Sequence, residues 1–311
     1  MSGDEFHPAY RLLAEGELTA RRDQALAILS ECRLCPRECG VNRAAGESGF
    51  CNSGREALVA SHGKHFGEER PLVGYGGSGT IFFANCNLGC IFCQNYDISH
   101  LGHGRPVAPE RLADMMIDLQ RQGAHNINLV TPSHFLPQIL EALLTAARQG
   151  LEVPLVYNCG GYESVAALKR LDGVVDIYMP DAKYSDGEVA QQLSRAPDYP
   201  QCMKAAIAEM HRQVGDLQIN EDGIAQRGLL VRHLVLPNNL AGSAAIMRFL
   251  ANLSPNTYVN VMTQYRPCYR ASEIEQINRR PTVEEYRQAV QAALDAGLHR
   301  LDERPLAVLQ C

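Results

Sequence analysis

Residues 79–93 read Gly79-Thr80-Ile81-Phe82-Phe83-Ala84-Asn85-Cys86-Asn87-Leu88-Gly89-Cys90-Ile91-Phe92-Cys93. A short β-branched and aromatic run predicts a strand over 80–84, and three cysteines spaced Cys-x3-Cys-x2-Cys follow it at once. Three thiolates hold three irons of a cubane iron-sulfur cluster and leave the fourth iron without a protein ligand. Structural zinc wants four ligands, and three-cysteine catalytic zinc is uncommon, so the odd number argues against zinc. The plain alternative is three unrelated buried cysteines. Against it stand the spacing, the strand before it and the aromatic Phe92 before the last cysteine, which all coincide.

Beyond the triplet, short apolar runs alternate with helical patterns. After 80–84, strands are expected at 127–130, 153–157, 174–179, 229–236 and 258–262. Helices are expected at 109–122, 134–149, 163–170, 199–214, 241–253 and 283–296. Each helix must return the chain to start the next strand in the same direction, which requires a parallel sheet with right-handed crossovers. Eight units would need more chain than 311 residues leave after the N-terminal region. The expected fold is therefore α/β, a partial (β/α)6 TIM-like barrel with its chemistry at the C-terminal strand ends. A hairpin turning at Asp222-Gly223 is expected over 217–228.

Upstream, residues 19–30 have helical spacing, with Thr19 as the expected N-cap. The chain then enters Cys32-x2-Cys35-x3-Cys39-x11-Cys51, within a Gly-rich, aperiodic region that needs an external staple. Four thiolates can close a zinc site or hold a second iron-sulfur cluster, and the donor type admits both. His62 and His65 are imidazoles that could replace one thiol. The chain accordingly divides into a Cys-rich metal-binding region at 1–75 and a barrel at 76–311. Of the eleven cysteines, Cys159, Cys202, Cys268 and Cys311 are isolated and read as small buried hydrophobes.

Composition narrows the function classes. With 46% hydrophobic and 21% charged residues the chain has globular usage. A net charge of -6 gives no general attraction to phosphate backbones or anionic membranes, which argues against a zinc-ribbon nucleic-acid binder. Residues 1–14 carry acidic groups and no apolar signal core, so a cytoplasmic location is expected. There disulfides are rare, and metal binding becomes the reason for the clustered thiols.

At Cys86, Cys90, Cys93 and Phe92 the sequence resembles the radical S-adenosylmethionine (SAM) superfamily. The blocks CRLCPRECGVNR (32–43), GTIFFANCNLGCIFCQNYDIS (79–99), YMPDAKYSD (178–186), GLLVRHLVLP (228–237) and VNVMTQYRPCYRA (259–271) extend it to the pyruvate formate-lyase activating enzyme-like proteins. The resemblance implies a [4Fe-4S] cluster whose open iron chelates SAM and whose reduced form cleaves it to methionine and a 5′-deoxyadenosyl radical. It implies hydrogen-atom abstraction, with activation of a glycyl-radical enzyme as the named activity. It also implies an electron donor such as flavodoxin or ferredoxin, with a protein as one class of substrate. Asp181 and Lys183 match an Asp-x-Lys motif near SAM, with Lys183 toward its carboxylate and Asp181 toward the ribose or a cation. Arg232 matches an arginine that reaches SAM.

One departure stands out. The superfamily's second strand usually ends in Gly-Gly-Glu, whereas this chain has Thr131-Pro132-Ser133-His134, so Thr131 and backbone carbonyls are expected to take the SAM ammonium. Asn158, Gln264 and Tyr265 are further pocket candidates. No residue is assigned as a general base or radical relay. The competing class is a non-catalytic iron-sulfur or zinc protein that transfers electrons or scaffolds a complex, which would neither bind nor cleave SAM.

Overall fold

The computed structural model describes residues 6–302, which leaves Cys311 outside the described residues. Six parallel strands form its centre: β2 (Ser78–Phe83), β4 (Ile127–Val130), β5 (Leu155–Cys159), β6 (Ile177–Pro180), β8 (Ala225–Leu234) and β9 (Tyr258–Met262). The remaining strands are β1 (Ala57–His65), β3 (Arg105–Val107) and β7 (Gln218–Ile219), all antiparallel to their neighbours. The expected partial barrel is what the chain builds. The expected hairpin is the pairing of β7 with the first residues of β8, closed by a turn at Gly223.

Strand alternation separates two layers of packing. Leu129, Tyr157, Tyr178, Val231 and Val261 face the helical layer and share its core with Met116 of the helix Pro109–Arg121, Leu140 of Leu136–Arg148 and Met210 of Tyr199–Val214. Their neighbours Val156, Ile177, Met179 and Leu230 face inward and meet Leu72, which the short helix Arg70–Val73 inserts between them. The apolar floor lies toward the strand starts. Polar side chains are thereby concentrated at the strand ends, where the cysteine loop sits.

Two features differ from expectation. Residues 57–65 form β1, which pairs with β2 from Val59↔Phe83 to His65↔Ser78. Its exposed Ser61 and His62 interrupt the alternation that would have marked it in the sequence. The helix near Thr19 runs Glu17–Ala27 and continues as a 3-10 turn, Ile28–Ser30; its N-cap is Gly16, and Thr19 lies inside the first turn. Gly16 takes this position because its φ of 81° costs an L side chain energy and glycine nothing.

Candidate active site

The cysteine loop leaves β2 through Asn85, whose backbone N–H donates to Ile98 O at 2.8 Å. A turn closed by Cys93 N–H to Cys90 O (3.1 Å) brings the last two thiols to one side. Gly89 lies between the first and second with φ +70°, and a Cβ there would come within 3.1 Å of the Phe50 ring, so both its conformation and its space call for glycine.

Each thiol has its own hydrogen-bond donor. Cys86 Sγ accepts from Leu88 N–H at 3.4 Å, Cys90 Sγ from Ser194 Oγ at 3.2 Å and Cys93 Sγ from Ser99 Oγ at 3.1 Å. Such donors suit anionic, metal-bound sulfur and tune it. Burial pushes the free Cys86 thiol up to about 12, so the thiolate is favoured there only when a metal shares its charge. The donor set fits an iron-sulfur cluster bound through three corners.

These thiols open into a cavity of about 240 Å³ that is also lined by Phe92, Thr131, Asn158, Asp181, Lys183, Arg232 and Gln264. All the residues expected in the SAM pocket except Tyr265 thus lie on one wall system with Cys86, Cys90 and Cys93. Phe92 is buried and meets Tyr184 and Tyr265 edge-on, with centroids 6.4 and 5.6 Å away. Tyr265 itself belongs to the core: it is buried, and its hydroxyl donates to Ile277 O at 2.7 Å.

Thr131 has φ 60°, a left-handed conformation that costs a β-branched residue about 1–3 kcal/mol. It is pinned there by its N–H to Asn158 O at 2.8 Å. Strain of this kind, at a strand end facing a cavity, turns the backbone away from the sheet direction.

The charged trio behaves as one unit. Lys183 Nζ lies 2.6 Å from Asp181 Oδ2, and Arg232 Nε lies 2.8 Å from Asp181 Oδ1. Arg232 also donates to Asn158 Oδ1 at 2.7 Å and has Glu68 at 3.8 Å. Burial pushes the Asp181 carboxyl up, but Arg232 and Lys183 together outweigh it and hold the group below its usual value. The guanidinium is thus spent largely on fixing Asp181 and Asn158. Glu68 and Glu69 reach this layer from the turn before Arg70–Val73, and Glu69 Oε1 accepts from Asn260 Nδ2 at 3.0 Å. Sequence reasoning missed these two glutamates, since no motif links residues 68–69 to strand ends far along the chain.

The four N-terminal cysteines surround a second, much smaller void of about 10 Å³. Cys39 Sγ accepts from Phe50 N–H at 3.4 Å, and Arg43 Nη1 reaches Cys32 Sγ at 3.9 Å. His62 and His65 are absent from the void's lining, and His65 Nδ1 instead lies 3.3 Å from Glu68. The histidine that does line the void is His134. Among the described residues no three ligand-type side chains are drawn together as around a single bound ion; the thiols ring the void without closing on one point.

The two cysteine regions are fastened together. Arg37 donates to Asn87 O (3.1 Å), Leu88 O (3.0 Å), Ser194 O (2.9 Å) and Arg195 O, and its guanidinium lies 3.7 Å above the Phe50 ring. Asn85 Nδ2 donates to Asn52 O and Ser53 Oγ at 2.9 and 3.1 Å, so Asn52 and Ser53, which follow Cys51, grip Asn85, which precedes Cys86.

The radical SAM superfamily model matches residues 80–217, the stretch that runs from β2 through the cysteine loop to the edge of β7. Residues 80–217 are a radical SAM superfamily domain. Among relatives of this radical SAM protein, the uncharacterized protein MJ0674 of Methanocaldococcus jannaschii is 35% identical over 274 residues, covering 86% of this chain and 75% of its own. Of solved structures, methylornithine synthase (PylB) is similar with a TM-score of 0.47 and 12% identity, over 93% of this chain and 72% of that one. Superfamily membership implies a [4Fe-4S] cluster and SAM as substrate. Among the described residues no helix is long and apolar enough to cross a membrane.

Proposed function

We propose that this radical SAM enzyme binds its [4Fe-4S] cluster through Cys86, Cys90 and Cys93 and uses it on SAM held in the 240 Å³ cavity, to abstract a hydrogen atom from a further substrate. The observation that carries the reading is that the three thiols, the strained Thr131 and the Asp181–Lys183–Arg232 unit line that one cavity. When bound, the cluster supplies one electron at an open iron, and everything else falls to the chain's own groups. Thr131 and the backbone carbonyls around it accept from an ammonium. Lys183, already facing Asp181, is the cation placed to meet a carboxylate. Arg232 acts chiefly as a positioning residue that holds Asp181 and Asn158 toward the ribose side. Phe92 and Leu88 close the apolar wall, and so exclude water and stray hydrogen donors.

The likeness of residues 178–186, 228–237 and 259–271 to the pyruvate formate-lyase activating enzyme-like proteins supports a protein glycine as the hydrogen donor, with a flavodoxin or ferredoxin as electron source in the cytoplasm. The cluster that contains Cys32, Cys35, Cys39 and Cys51 holds a second metal centre that staples the N-terminal region to the cysteine loop. The test is anaerobic reconstitution with iron and sulfide, reduction in the presence of SAM, and quantification of 5′-deoxyadenosine. Wild type forms it and Cys90→Ala does not. A wild-type protein that binds a cluster and forms none, even with candidate partners added, would overturn the reading in favour of an electron carrier or scaffold.

A further inference from the structure

The imidazole of His134 is completely enclosed, with 1% of its surface exposed, and only one of its two nitrogens is spoken for. Nε2 lies 2.9 Å from Ala84 O. A backbone carbonyl can only accept, so the ring proton resides on Nε2 and Nδ1 carries a lone pair. Nδ1 is buried and has no hydrogen-bond partner among the described residues. An orphaned buried acceptor costs about 1–3 kcal/mol, and such atoms are rare enough in folded proteins to require a reason.

The place of the ring gives one. His134 lines the void of about 10 Å³ together with Cys32, Cys35, Cys39 and Cys51. A void of that size holds roughly one water-sized body, which is the scale of a single metal position. The ring is held on both sides. Its own carbonyl accepts from Arg43 Nη1 at 2.8 Å, the same nitrogen that approaches Cys32 Sγ, and the Phe135 ring lies against it at a centroid distance of 4.2 Å. Arg43 is itself 1% exposed and fixed by Gly54 O through Nη2 at 2.8 Å. Metal-binding histidines characteristically donate their second N–H to a carbonyl, which sets the tautomer and aims the free nitrogen. Ala84 does this for His134, and Ala84 lies two residues before the cluster ligand Cys86.

We propose that His134 Nδ1 is a metal ligand at the N-terminal centre, which makes it a mixed thiolate-imidazole site. Five candidate donors line the void, one more than a tetrahedral ion takes, and since they ring it without closing on one point, binding must draw four of them inward. Cys39 is the one exposed at the surface, while Cys32 and Cys35 are buried and Cys51 half-buried, so Cys39 is the thiol left outside the inner shell. The ligands are Cys32, Cys35, Cys51 and His134, a set suited to zinc or another thiophilic divalent ion. The departure from Gly-Gly-Glu at residues 131–134 thereby acquires a purpose. The segment that follows strained Thr131 carries the histidine from the end of β4 to the N-terminal region.

This inference rests on the reading that the four-cysteine cluster binds metal, and the experiment separates the two. Cys86, Cys90 and Cys93 are all replaced by alanine, so that any retained metal belongs to the N-terminal centre, and circular dichroism checks that the variant is folded. Zinc-loaded protein is then analysed for metal content and by X-ray absorption at the zinc edge; the same is done for zinc-loaded wild type, should the variant not fold. One zinc per chain is expected, with one nitrogen at about 2.0–2.1 Å beside three sulfurs at about 2.3 Å. Cys39→Ser is expected to leave that shell unchanged, and His134→Ala to lose the nitrogen, with Cys39 replacing it or affinity falling about 10- to 100-fold or more. An all-sulfur shell in the parent, or a nitrogen that survives His134→Ala, overturns the assignment of His134. Absence of any metal from the N-terminal centre overturns the metal-centre reading itself, and the assignment with it.

Discussion

At the barrel mouth three hydrogen-bonded thiols face a cavity of about 240 Å³; at the N-terminal centre four thiols and His134 enclose about 10 Å³. Both set hydrogen-bond donors on sulfur: the Phe50 N–H at the N-terminal centre, and the Leu88 N–H with the Ser99 and Ser194 hydroxyls at the barrel mouth. The difference lies in what remains open. A centre one ligand short, beside a roomy polar cavity, can bind and transform a substrate. A centre with a surplus of ligands around a water-sized void is suited, on the proposed reading, to holding its own loops in place. On the proposed reading chemistry and stapling are divided between two sites, whose loops touch through Arg37 and Asn85.

The largest effect should come from removing the staple. Cys35→Ala, or stripping the N-terminal metal with a chelator, is expected to destabilise residues 32–54 by several kcal/mol, since structural zinc sites supply folding free energy on the order of 10 kcal/mol in small domains. Limited proteolysis would then cut within 32–54 while the barrel keeps its far-ultraviolet circular dichroism. 5′-Deoxyadenosine formation should fall far less than in Cys90→Ala. Equal loss in both variants would mean that the N-terminal centre takes part in electron delivery, and the division of labour would fail.

A smaller effect is expected at the joint. Arg37→Ala leaves the carbonyls of Asn87, Leu88, Ser194 and Arg195 without their shared donor. Because solvent can reach part of this joint, the cost is about 2–4 kcal/mol rather than the sum of the bonds. Denaturant unfolding measures it, and Arg37→Lys, with no planar fork, should recover under half. A change below about 0.5 kcal/mol would show that the two regions are independent.

The barrel was legible because its signals are local: Ile127–Val130 and Tyr258–Met262 are short apolar runs between helical patterns, and Tyr199–Val214 carries helical spacing over its whole length. The strand β1 was not legible, since Ala57–His65 owes its form to pairing with β2 and has no alternation of its own past Val59. The cavity's thiols and its Asp181, Lys183 and Arg232 were legible through motifs. Their hydrogen-bond partners were not. Ser194 lies 104 residues from Cys90 and Glu69 lies 191 from Asn260, and no spacing rule spans such distances. His134 shows the same limit: nearness in sequence pointed to His62 and His65, whereas the topology brings the residue after β4 against Arg43.

The finest distinction between the centres concerns the hydrogen bonds to sulfur. Ser194 Oγ donates to Cys90 Sγ at 3.2 Å and lies 2.9 Å from the Tyr184 hydroxyl, deep in the wall beneath the loop. A donor at a ligating sulfur stabilises the more negative, reduced state of a cluster over the oxidised one, so its removal must lower the potential. A net hydrogen bond of about 1 kcal/mol corresponds to roughly 40 mV for one electron. Ser194→Ala should therefore shift the barrel cluster about 40 mV more negative by spectroelectrochemical titration, and slow SAM cleavage at a fixed reductant potential without changing iron content. Ser99→Ala, at Cys93, should act in the same direction, as its Oγ–Sγ distance of 3.1 Å is similar. A shift to more positive potential in both variants would mean that water replaces each hydroxyl with a stronger donor, and that the wall around Cys90 is less closed than its burial indicates.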